Sequence, residues 1–222
     1  MKPHHHLDAS TLLGHAAGAM PLAFSAVVEA HLAVCAACRQ ELERAERVGG
    51  ALVAQQEGAP LADGARQALL ERLHAEGAPV AHAARPAAAA PARTDPDLIP
   101  RSLRPYFGER FSGLRWRMIG PGVHHVRAQG VDDGHLMLLR TAPGRSVPMH
   151  THGGNELTMI LQGAYDDALG HFAPGDVADL DGDVEHQPVT APGVPCICVA
   201  ATDAPLRFSG WIARTLQPLF KL

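Results

Sequence analysis

Residues 144–163 read Gly144-RSVPM-His150-Thr151-His152-GGN-Glu156-LTMILQ-Gly163. The run LTMILQ and its neighbours have strand character, and on a strand residues two apart point the same way. His150 and His152 therefore face one side together. Glu156 follows on the next turn or strand and closes the arc. A fourth ligand should come from a neighbouring strand, and the stretch Pro174-Gly175-Asp176-VADLDGDVE-His186 provides His186. Three histidines and one glutamate suit Zn²⁺ or another divalent transition metal such as Fe²⁺, Mn²⁺ or Ni²⁺. Around this core, Gly and Pro punctuate short segments of alternating or β-branched residues from about residue 101 onward, which marks an all-β domain.

Upstream the composition changes. Residues 77–100 read GAPVAHAARPAAAAPARTDPDLIP, with prolines at 79, 86, 91, 96 and 100. Proline breaks helices and favours extended, semi-rigid backbone, so this stretch reads as a linker. Residues 1–76 are rich in Ala, Leu, Glu and Arg, which are helix formers. Four helices are expected there. The first is capped by Asp8 or Ser10 and runs to about Met20. The second begins at Pro21 and buries Leu22, Val27, Val28 and Leu32. The third starts near Ala37, and the fourth near Asp63. Four short helices make a marginal core that gains from a staple.

That staple is visible in His31-Leu-Ala-Val-Cys35-Ala-Ala-Cys38. Helical spacing stacks His31 and Cys35 on one face, and Cys38 follows at a helix junction. Two thiolates and an imidazole are ligands that Zn²⁺ prefers, and its structural sites are tetrahedral. The run His4-His5-His6 can supply the fourth corner, since His6 lies 25 residues before His31. The alternative is buried thiols beside surface histidines. Cys196 and Cys198, in the apolar run PCICVAA, would share one face of a strand as small core residues or as a redox pair. Of the 14 histidines, His15, His74, His82, His124, His125, His135 and His171 lack ligand spacing.

The 222 residues carry a net charge of -4, with 46% hydrophobic and 19% charged residues. This balance is that of a soluble globular chain, and it argues against direct nucleic-acid binding. No apolar run reaches the ~18 residues of a membrane span, and MKPHHHLDASTLLG lacks a signal-peptide core. A cytoplasmic protein is expected, with thiols or metal ligands rather than disulfides. The motifs of nucleophilic hydrolases and nucleotide-binding loops are missing from the sequence.

Two resemblances sharpen this reading. The upstream His followed by His-x3-Cys-x2-Cys resembles the zinc-binding anti-sigma domain. The resemblance implies zinc ligands His6, His31, Cys35 and Cys38, with His5 as second choice for the first. The pattern G-x5-H-x-H-x3-E-x6-G resembles the first cupin motif without gap or substitution. The Gly175-Asp176 turn with His186 resembles the second, although Asp181 stands where many cupins have proline and Val189 near the place of an asparagine. In that order the two domains resemble the ChrR class of cytoplasmic anti-sigma factors.

The expected architecture is then an α + β chain of two domains. An all-α zinc-binding helical bundle (1–76) and a linker (77–100) precede an all-β cupin, or jelly-roll, barrel (101–222). The resemblance implies inhibition of an extracytoplasmic-function sigma factor by the helical domain. It also implies release when the cupin domain meets singlet oxygen or organic hydroperoxide, with no enzymatic activity. The competing expectation is a metal-dependent cupin enzyme, dioxygenase-like, with a regulatory helical domain.

Overall fold

The segment Leu22–Val34 is apolar on nearly every side, so as a helix it must be covered all round. The computed structural model describes residues 2–75, 95–182, 184–204 and 206–208, and shows how that cover is provided. Residues 77–94 of the expected linker lie outside the described residues, as do His82 and the side chain of His152. The chain packs as two units, residues 1–49 with 97–222, and residues 50–96.

Four helices occupy the N-terminal part, as expected: α1 (Ala9–Ala16), α2 (Leu22–Val34), α3 (Ala36–Ala54) and α4 (Ala65–Ala75). α1 stops short of Met20, because Gly18 takes a left-handed conformation with φ 64°. Pro21 precedes α2, where its missing N–H costs nothing. The free N–H of Leu22 is instead accepted by the Asp133 carboxylate at 2.9 Å. Val27, Val28 and Leu32 are buried as expected, whereas Leu22 is 45% exposed. It sits at the first turn, before the helix enters the core. At Cys35 the backbone becomes extended, and α3 leaves at 118° to α2. In the second unit, none of the residues of α4 is buried.

The short helix α5 (Arg104–Phe107) opens the β-domain. Strands β1 (Arg117–Gly120), β2 (Val123–Arg127), β3 (His135–Thr141), β4 (His150–His152), β5 (Glu156–Gln162) and β6 (Tyr165–Asp167) follow. After them come β7 (Gly170–Phe172), β8 (Val177–Leu180), β9 (Val189–Thr190), β10 (Cys196–Thr202) and β11 (Leu206–Phe208). All pairings are antiparallel. One six-stranded sheet runs β1-β2-β3-β10-β5-β8, a three-stranded sheet runs β7-β6-β9, and β11 pairs with β4. Helices first and an all-β cupin-like domain second is the architecture the sequence predicted.

The large sheet is covered on both faces at β10, β5 and β8. Leu136, Leu138, Leu157, Met159, Val199 and Ala201 pack in one apolar cluster with Phe24, Val27 and Val28 of α2 and with Ile99 and Leu103. On the other face Ile160, Ala178, Leu180 and Cys196 pack against Tyr165 and Phe172 of the small sheet. This explains the unbroken apolar run of β10, since a strand covered on both sides does not alternate. Gly163 ends β5 at φ 69°, and a side chain there would meet the Pro195 carbonyl at 2.5 Å. The last glycine of the 144–163 motif is therefore a steric requirement.

Candidate metal centres

The first cluster forms where α2 breaks. Cys35 ends α2 and Cys38 lies in the first turn of α3, while His31 sits one turn earlier on α2. The N-terminal strand of chain brings His6 to the same point. The ligand atoms of His6, His31, Cys35 and Cys38 all lie within 4.8 Å of one another. His31 Nε2 is 3.3 Å from Cys38 Sγ. His6 Nδ1 is 3.2 Å from Cys35 Sγ and 3.7 Å from Cys38 Sγ. Zn–N bonds of about 2.0 Å and Zn–S bonds of about 2.3 Å require tetrahedral edges of about 3.3–3.8 Å, so these separations fit a zinc ion.

The tautomer of His31 is decided by its neighbour. Its Nδ1 lies 2.9 Å from the Gly175 carbonyl, which can only accept, so Nδ1 carries the proton and Nε2 offers its lone pair. Burial holds the His31 imidazole below its ordinary pKa, which keeps it neutral and able to ligate. Burial, together with the adjacent Cys35, pushes the Cys38 thiol up to about 11. Metal binding must therefore expel a proton from it. His5 is placed elsewhere: its ring stacks on Phe172 with centroids 3.9 Å apart, and its Nε2 donates to the His171 carbonyl at 3.1 Å.

The second cluster lies inside the β-domain. His150 of β4 and His186 form an antiparallel bridge, their backbones bonded in both directions at 3.2 and 3.1 Å. Their Nε2 atoms approach to 3.1 Å. His150 Nδ1 donates to the Pro148 carbonyl at 2.8 Å, and His186 Nδ1 to the Asp167 carboxylate at 3.2 Å. With both protons on Nδ1, two Nε2 lone pairs converge, an arrangement that a shared cation stabilises. Glu156 is buried and accepts the Thr158 hydroxyl at 2.6 Å. The His152 side chain is not among the described residues; its backbone is in β4, two residues from His150. The structure thus brings His150 and His186 together and buries Glu156 in the same domain.

Asp167 is a participant that spacing did not reveal. It lies in Tyr165-Asp166-Asp167, between the two motifs and part of neither, and its side chain is fully buried against His186. An outer carboxylate of this kind fixes the ring and makes it a stronger ligand. Cys196 and Cys198 are both free thiols. Burial pushes Cys196 up to about 12 and raises Cys198 well above its ordinary value, with Cys196 and Glu156 adding to the latter. A thiol at about 12 is ionised only to the order of 10⁻⁵ at pH 7, and the thiolate is the reactive form. Brief treatment of the native protein with iodoacetamide at neutral pH should leave both unmodified, and denaturant should expose both. Rapid labelling of either in the native chain, read by peptide mass mapping, would revive the redox pair.

Comparison with known proteins bears on both clusters together. The ChrR cupin-like domain family matches residues 109–204. The anti-sigma-E factor ChrR of Cereibacter sphaeroides is 37% identical over 218 residues, spanning 98% of this chain and 98% of that protein. The chain belongs to the ChrR family of anti-sigma factors. The crystal structure of Rhodobacter sphaeroides SigE in complex with the anti-sigma ChrR matches with a TM-score of 0.74 and 32% identity. That match covers 91% of this chain and 100% of the other. Among the described residues, no single helix is long and apolar enough to cross a membrane.

Proposed function

We propose that this ChrR-family chain binds and inhibits an extracytoplasmic-function sigma factor in the cytoplasm. Its helical part, residues 1–76, makes the inhibitory contact, with Zn²⁺ held by His6, His31, Cys35 and Cys38 setting the α2–α3 corner. Its cupin part, residues 101–222, carries a divalent metal on His150, His152, Glu156 and His186. Residues 77–100 join the two. In this reading the cupin part is a sensor of singlet oxygen or organic hydroperoxide rather than an enzyme, and it promotes sigma release.

The observation that carries the proposal is 37% identity, over 98% of both chains, with a relative named as an anti-sigma factor. The surface of the helices supports it. Leu69 and Leu73, one turn apart on α4, are 54% and 57% exposed. An apolar pair at that spacing is the anchor pattern of a helix that packs on a partner. Leu7, Leu12, Leu13, Ala45 and Val48 line an open apolar groove of about 390 Å³ beside α1.

Co-expression with an extracytoplasmic-function sigma factor of the same genome tests the reading. The expected result is a stable complex and loss of sigma-dependent transcription. The double substitution Leu69→Asp, Leu73→Asp should release the sigma factor while leaving the chain folded, because neither side chain is buried in the chain itself. Full sigma activity in the presence of the unaltered chain would end the proposal.

A further inference from the structure

The N-terminal segment is held by three aspartates of the β-domain. Asp133 accepts the Leu22 N–H, and Asp179 the Asp8 N–H at 2.9 Å. Asp176 does most. Its Oδ1 accepts the backbone N–H groups of His4 at 2.6 Å and His5 at 3.0 Å, and its Oδ2 accepts that of Ala173 at 2.8 Å. Asp176 is almost wholly buried. Burial would raise its carboxyl, but the three N–H donors and the His5 ring outweigh this and hold it below the usual range. The residue before it, Gly175, supplies the carbonyl that receives His31 Nδ1–H. Gly175 stands at φ 98°, and a side chain there would meet Pro3 Cγ at 3.2 Å and Val34 Cγ2 at 3.6 Å. The turn, the N-terminal segment and the end of α2 are therefore close-packed at one point.

We propose that the Gly175–Asp176 turn of the β-domain is the outer shell of the zinc site, positioning two of its ligands. The Gly175 carbonyl fixes the tautomer and direction of His31. The Asp176 carboxylate fixes the backbone at His4 and His5, and so delivers His6, the next residue, to the thiols. This rests on the reading of His6, His31, Cys35 and Cys38 as a zinc site. The turn is a positioning element and touches no metal itself. Outer-shell partners of metal ligands typically change affinity by about 10–100-fold when removed.

The experiment uses the full chain loaded with Co²⁺ in place of zinc. Thiolate-to-cobalt charge transfer reports only the cysteine-containing site, because the proposed ligands of the other cluster include no thiol. Decay of that band is followed after addition of a competing chelator. For Asp176→Ala the decay should be about 10–100-fold faster, and the tetrahedral d–d bands should shift. Asp176→Asn keeps an oxygen for His4 and His5 and should fall between; it also serves if the alanine variant does not fold. Asp133→Ala cuts a latch of the same kind at Leu22, away from the ligands, and should leave the decay unchanged. Equal rates in the unaltered and Asp176 chains would overturn the positioning role, and so would equal acceleration by Asp133→Ala. A chain that shows no charge-transfer band at all would instead remove the zinc site on which the inference stands.

Discussion

Cys35→Ala and Cys38→Ala should each abolish tight zinc binding at the helical cluster and loosen α1 to α3. Both thiols are buried, and they hold the corner where α2 gives way to α3. Small zinc domains gain about 10–16 kcal/mol from the metal, more than the whole stability of most small helical folds. Removal of one thiolate from a tetrahedral set therefore has a larger effect than any single core truncation, which costs about 2–5 kcal/mol. The β-domain should survive, because its two sheets share a core of their own around Tyr165 and Phe172. Elemental analysis should show one zinc fewer per chain, and helical circular dichroism should fall while the β signal persists. The sigma factor should no longer be held. Either variant binding the sigma factor with unchanged affinity and without zinc would show that the corner needs no metal.

The helical cluster was largely legible in the sequence, because it rests on local spacing. A four-residue step on a helix puts His31 with Cys35, while the two-residue step keeps the backbones of His150 and His152 together in β4. His186 lies 30 residues beyond Glu156 and was legible only through the turn before it. The outer partners were not legible. Asp167 reaches His186 because β6 pairs with β9, the strand that follows His186, and Gly175 reaches His31 across 144 residues. No period in the chain encodes such meetings. Asp176 was visible as a turn residue, yet its work is to hold the backbone of His4 and His5.

The relation of the helices to the sheet was hidden for a different reason. An apolar helix such as α2 reads as the centre of a helical bundle. Its burial comes instead from two sources, since Leu12 and Leu42 share its cluster with Leu138, Leu157 and Val199 of the large sheet. The unbroken apolar character of β10 was the complementary sign that something covers the sheet's second face. Leu22 was misplaced because periodicity assigns a face without knowing where along the helix the cover begins. Its N–H, held by Asp133, marks that edge.

Substitution of Glu156 or His186 should leave inhibition intact and abolish the response. Neither residue belongs to the helical cluster, and each lies within the β-domain. The route by which their state reaches the helices is short. His186 bonds Asp167 at the end of β6, and β6 pairs with β7 through Tyr165 and Phe172. Phe172 carries the stacked His5 ring, and the turn after β7 holds Gly175 against His31 and Asp176 against the backbone of His4. A change at the inner cluster that frees Asp167 therefore acts on a hairpin whose other side grips the N-terminal segment. The measurement is sigma-dependent transcription with and without singlet oxygen or organic hydroperoxide. Glu156→Ala and His186→Ala chains should repress in both conditions, while under the proposed sensing role the unaltered chain should release the sigma factor under stress. Asp167→Ala should resemble them more weakly, since it removes an outer partner and not a ligand. Metal content should fall by one ion in the ligand variants, and the helical zinc should remain. Full induction in a His186→Ala chain that has lost its inner metal would separate sensing from that cluster. It would leave the β-domain only the task of holding the zinc ligands in place.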